Sequence, residues 1–60
     1  MKENKTYVRI IKDEPGEPAK SGDIGYIDGY VRGGNDVPYA VVVIQKTISL
    51  VSIYNLVAIS

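Results

Sequence analysis

Sixty residues carry seven Lys or Arg and seven Asp or Glu, for a net charge of zero. That balance argues against a nucleic-acid binder, which normally carries a basic surplus to neutralise phosphate. Cys and His are both absent. Their absence excludes disulfides and the usual zinc and haem ligand sets, and removes the commonest general base and the best thiol nucleophile.

A chain of this length forms one domain and removes only about 60% of its unfolded surface from water. One small core rarely supplies more than ~3–5 kcal/mol, so such scaffolds add a staple or a partner. With disulfides and metals set aside, tight β packing and oligomerisation are left. The opening Met1-Lys2-Glu3-Asn4-Lys5 is too polar for a secretory signal, and no apolar run approaches the roughly 20 residues of a membrane helix. The expectation is a cytoplasmic protein.

Residues 1–5 read as a disordered polar tail and 6–60 as a single domain. Thr6–Lys12 (TYVRIIK) is β-branched and aromatic and reads as the first strand, although Ile10 and Ile11 would point to opposite faces. Asp13–Ser21 (DEPGEPAKS) is a loop, because its two prolines fix φ and Pro-Gly suits a turn. Its acids Asp13, Glu14 and Glu17 are either a hard-cation site or a solvated guard that keeps edge strands from pairing; the second is the expectation.

A glycine-rich stretch, Asp23–Arg32, reads as a sharply bent second strand, with Gly22, Gly25 and Gly29 as structural glycines. Strict alternation puts Gly25, Ile27, Gly29 and Val31 on one face and Tyr26, Asp28, Tyr30 and Arg32 on the other. Gly33–Pro38 is a turn cluster; a glycine-rich phosphate cradle is the alternative, but no Lys-Ser/Thr follows and no helix opens there. Tyr39–Ile44 (YAVVVI) and Thr47–Ser52 (TISLVS) form a hairpin through Gln45-Lys46. A two-residue turn sets Val43 opposite Ile48 and Val41 opposite Leu50, and one more residue swaps the faces. Either Tyr39, Val41 and Val43 or Ala40, Val42 and Ile44 is then left as a surplus apolar row. Ile53–Asn55 suits a single 3₁₀ turn and Leu56–Ser60 a last short strand.

This order of elements resembles the five-stranded Src-homology-3-type (SH3-like) barrel, and within it the KOW group. The G-x-x-G-x-V/I step of that group is matched by Gly22-Asp23-Ile24-Gly25-Tyr26-Ile27, preceded by Val8-Arg9-Ile10. Ser52-Ile53-Tyr54-Asn55-Leu56 resembles the turn before the last strand of such barrels. The resemblance implies an all-β five-stranded SH3-like barrel that contacts RNA or protein. KOW modules usually carry basic residues at the glycine step, where this chain places Asp23 and Asp28; the tryptophan of proline-peptide readers is absent. Free-standing barrels of this size are also typical of uncharacterised phage and mobile-element proteins.

No catalytic, cofactor or metal residues are assigned, since Ser21, Ser49, Ser52 and Ser60 lack a histidine partner. The candidate partner-binding residues are Tyr26, Tyr30, Arg32, Tyr39, Val41 and Val43, with Ala40, Val42 and Ile44 as the alternative outer face. Tyrosines with an arginine make hot spots or a stacking platform. Residues 37–60 hold a single charge, Lys46. The expected function is a non-enzymatic protein-interaction module, binding another protein or itself. A KOW-like nucleic-acid or ribonucleoprotein contact and a homo-oligomeric phage-assembly subunit are the alternatives.

Overall fold

The structure, a computed structural model, describes residues 5–59. Five strands follow in order: β1 (Tyr7–Ile10), β2 (Ile24–Arg32), β3 (Pro38–Ile44), β4 (Thr47–Ser52) and, after one 3₁₀ turn (Ile53–Asn55), β5 (Leu56–Ala58). All pairings are antiparallel, in one sheet of order β4-β3-β2-β1-β5. The all-β expectation holds, including the 3₁₀ turn before the last strand, and no α-helix occurs among the described residues. The first strand is shorter than expected. It ends where Ile10 is fully buried and Ile11 is 49% exposed, because the two neighbours cannot share a face. Residues 1–4 of the expected tail at 1–5, and the expected strand end at Ser60, lie outside the described residues; Lys5 is described, with its Nζ 4.2 Å from the Tyr26 ring centroid.

β2 belongs to two ladders. Its first residues pair with β1 (Arg9 with Ile24, Val8 with Gly25), and from Tyr26 onward it pairs with β3. Gly25 is buried at that handover, and a Cβ on it would collide with the Val43 carbonyl oxygen and stand 2.9 Å from Ile44 Cγ1. Only glycine allows the backbones to approach so closely. Gly22, with φ 97, turns the chain into this strand and donates its N–H to the Ile10 carbonyl at 2.7 Å.

The β3–β4 turn has two residues, with Gln45 at φ 47 and Ile44 opposite Thr47. That settles the register. Ala40 and Val42 are fully buried, with Ile44 packed against them, so the alternative outer face Ala40, Val42 and Ile44 is the inner one. Val8, Ile10, Val51 and the loop's Ala19 complete the core. Each large aliphatic contributes roughly 1.5–3 kcal/mol by burial. With four of them fully buried, the core is thin.

The loop between β1 and β2 compensates through its acids. β4 ends the sheet, and its Leu50 and Ser52 N–H groups point away from β3. Glu17 Oε1 accepts the Leu50 N–H at 2.9 Å, and Glu14 Oε2 accepts the Ser52 N–H at 2.7 Å. The same Glu14 oxygen accepts from Asn55 Nδ2 at 2.7 Å, while Ser49 Oγ donates to Glu17 Oε1 at 3.2 Å and accepts from Ala19 N–H. Asp13 Oδ1 takes the Ser21 N–H at 2.7 Å and closes the base of the loop. The acids are not the solvated guard expected: Glu14 is buried, and it and Glu17 cover the edge by hydrogen-bonding it. Hydrogen bonds to charged groups contribute about 1.5–3 kcal/mol. Glu14→Ala should cost about 2–3 kcal/mol, because it strands the buried Ser52 N–H and the Asn55 amide. Glu17→Ala, at a more open site, should cost about 1 kcal/mol. Urea denaturation with an unchanged m-value measures both.

Candidate interaction surface

Position Asp28 decides what the outside of the sheet presents. Ile27 pairs with Val42 and Gly29 with Val41, so Asp28 is an extra residue, a β-bulge. One inserted residue inverts the alternation beyond it. Tyr26, Gly29 and Val31 therefore share the outer face, and Tyr30 and Arg32 fall on the other side. The expected platform of Tyr26, Tyr30 and Arg32 is divided by this bulge. Tyr30 stands 66% exposed, opposite Ala40, and Arg32 pairs with Asp36 at 3.2 Å at a solvent-exposed site, where such pairs add little. Gly29 is likewise an outer residue, with nothing within 4 Å of a Cβ built on it, rather than the inner bend expected.

The other expected residues do come together. Across β2, β3 and β4 the outer face consists of three cross-strand rows: Tyr26–Val43–Ile48, Gly29–Val41–Leu50 and Val31–Tyr39–Ser52. No charged side chain stands in these rows. Ile48 is 61% exposed and Leu50 39%. Ile48, Leu50 and Val31 were not singled out from sequence. Val31 was assigned inward by strict alternation, and the two others are identified only once the hairpin register is known.

Farther along the same face, Tyr7 of β1 sits beside Tyr26, with ring centroids 5.9 Å apart and edge to face. Lys5 Nζ lies 4.2 Å above the Tyr26 ring. Where the outer face meets the acidic loop, a groove of about 380 Å³ is lined by Pro15, Val31, Tyr39 and Leu50, with Glu14, Glu17, Arg32 and Gly33 at its walls. Tyr39 closes over Gly33, where a Cβ would stand 2.8 Å from its ring.

Other sequence candidates resolve into structure. In the Gly33–Val37 loop, the Gly33 N–H donates to the Val37 carbonyl, the Asp36 N–H to the Gly33 carbonyl, and the Val37 N–H to Asn35 Oδ1. These three donors are taken up within the loop itself. Ser49 serves the loop clamp, and Ser52 Oγ caps the 3₁₀ turn by accepting the Tyr54 N–H. Among the described residues no cluster of three His, Cys, Asp or Glu side chains could hold a metal ion, and no helix is long and apolar enough to cross a membrane.

Comparison with known proteins found no matching family model, no similar curated protein and no similar solved structure. The division made by the bulge is open to measurement. A double-mutant cycle of Tyr7→Ala with Tyr26→Ala should show about 0.5–1.5 kcal/mol of coupling in stability. The cycle of Tyr26→Ala with Tyr30→Ala should be additive within about 0.5 kcal/mol.

Proposed function

We propose that this chain is a small, non-enzymatic protein-interaction module that binds through the outer face of β2, β3 and β4. The observation that carries the reading is the block of three uncharged rows, with Ile48 and Leu50 standing out of it. Contiguous apolar patches on the scale of a few hundred Å² mark interaction sites on monomeric proteins. Tyr39 and Tyr26 add rigid aromatic area of the kind that dominates interface energetics. The element order and the glycine-containing β2 support the SH3-like, KOW-related architecture as the scaffold.

A second reading has its own observation. Tyr7 and Tyr26 form an aromatic pair flanked by Lys5 above and Arg9 on the same face of β1. Stacking rings beside cations suit single-stranded nucleic acid. The zero net charge ranks this second.

Affinity capture from a native-host lysate at about 0.15 M salt, where exposed charges are well screened, separates the two. The module reading predicts retention of a protein that survives nuclease treatment and is lost with Val41→Lys, a change that leaves the core untouched. Material that disappears with nuclease, and that Val41→Lys does not affect, would replace it with the nucleic-acid reading.

A further inference from the structure

The middle row of the outer face has an uneven profile. Gly29 on β2, Val41 on β3 and Leu50 on β4 stand side by side, one strand spacing of about 4.8 Å apart. At one end is a notch: Gly29 carries no side chain, and nothing lies within 4 Å of where a Cβ would be. At the other end is a knob: Leu50 is 39% exposed, and its backbone is fixed by the Glu17 carboxylate at 2.9 Å. Val41 lies midway between them. A two-fold axis running along β3 above Val41 brings the Gly29 of one copy over the Leu50 of the other, twice, and Val41 over Val41. The knob and the notch are therefore self-complementary under the symmetry of an isologous pair.

We propose that the outer face of β2–β3–β4 binds a second copy of this chain face to face, seating Leu50 of each copy in the Gly29 notch of the other. This rests on the module reading above and names its partner. Three further observations point to a second copy. Identical charged proteins repel at long range, and this chain has seven charges of each sign and a net of zero. No residue of the three rows is itself charged; the nearest charges are Asp28, next to Gly29, and Glu17, at the Leu50 backbone. The core holds only four fully buried large aliphatics, so a partner sheet supplies the second apolar layer that a small scaffold lacks. Sheets stacked in this way lie about 10 Å apart with strands nearly aligned, which a two-fold axis along β3 produces.

Edge-to-edge pairing through β4 is a different geometry, and the loop obstructs it. Glu14 and Glu17 already occupy the Ser52 and Leu50 N–H groups that an added strand would need. Face packing is what remains to this part of the sheet. Its extent is three strands by three rows, on the order of 300–400 Å² on each copy. The paired total, about 600–800 Å², lies below the range of stable specific interfaces, so the dimer is weak and reversible.

Sedimentation equilibrium from about 0.05 to 2 mM tests the pairing, with folding of each variant checked by circular dichroism. The wild-type chain should be a reversible dimer within that range. Gly29→Leu fills the notch and should weaken association about 10- to 100-fold, the scale of an overpacked contact. The double variant Gly29→Leu with Leu50→Ala moves the knob to the opposite flank, facing a new notch, and should regain dimerisation at least in part. Rescue by a second truncation is not expected of two merely disruptive changes. A wild-type chain monomeric at 2 mM would overturn the pairing, and the lysate capture with Val41→Lys would then decide the module reading separately. A dimer indifferent to Gly29→Leu, or a double variant weaker than either single one, would place the contact elsewhere and also overturn it.

Discussion

Two loop carboxylates on the edge of β4 are the constraint on which the rest of this structure depends. The sheet ends at β4, and an edge strand leaves alternate N–H groups without ladder partners. Glu14 and Glu17 accept two of them, and through Asn55 and Ser49 the same carboxylates tie the 3₁₀ turn and the loop to the sheet. A loop of thirteen residues between β1 and β2 would otherwise be free to move. Clamped in this way it contributes Ala19 to the core and closes the edge to strand addition. The polar network and the small apolar core therefore stabilise one another, and no buried side-chain N or O among the described residues lacks a hydrogen-bond partner.

β2 shapes the outside of the sheet at two points. Gly25 lets the backbones of β2 and β3 approach closely where β2 passes from β1 to β3, beside the buried Val42. The bulge at Asp28 then inverts the alternation. It withdraws Tyr30 and Arg32 from the outer face and puts Gly29 and Val31 there. The face loses Tyr30 and Arg32 and gains a notch, and the proposed pairing of two copies rests on that single inserted residue.

Much of the fold is legible in the sequence. The Pro-Gly loop, the glycine-bearing β2, a tight turn at Gln45-Lys46 and the 3₁₀ turn at Ile53–Asn55 each rest on local backbone chemistry, and each occurs where expected; the length of the Gln45-Lys46 turn was open in the sequence. The faces were harder to read. Alternation has a period of two and carries no memory of a bulge, so one unseen residue at Asp28 reversed every assignment after Ile27. Gly29 resembled a second bend because glycine in a strand means either a bend or a vacancy, and only the pairing tells which. In sequence, the acids of the loop read as solvated guards of an edge. Their acceptor role depends on contacts more than thirty residues away in sequence, at Leu50 and Ser52, and no local pattern encodes such contacts.

Native-state hydrogen exchange on the β4 amides tests the account most directly. Ile48, Leu50 and Ser52 all direct their N–H groups away from β3 by strand alternation, and the clamp covers Leu50 and Ser52. Protection at Leu50 and Ser52 comparable to that of the laddered amides, beside fast exchange at Ile48, is the predicted result. Leu50 and Ser52 exchanging as fast as Ile48 would contradict the account, because the loop would then be detached and the β4 edge open to any added strand.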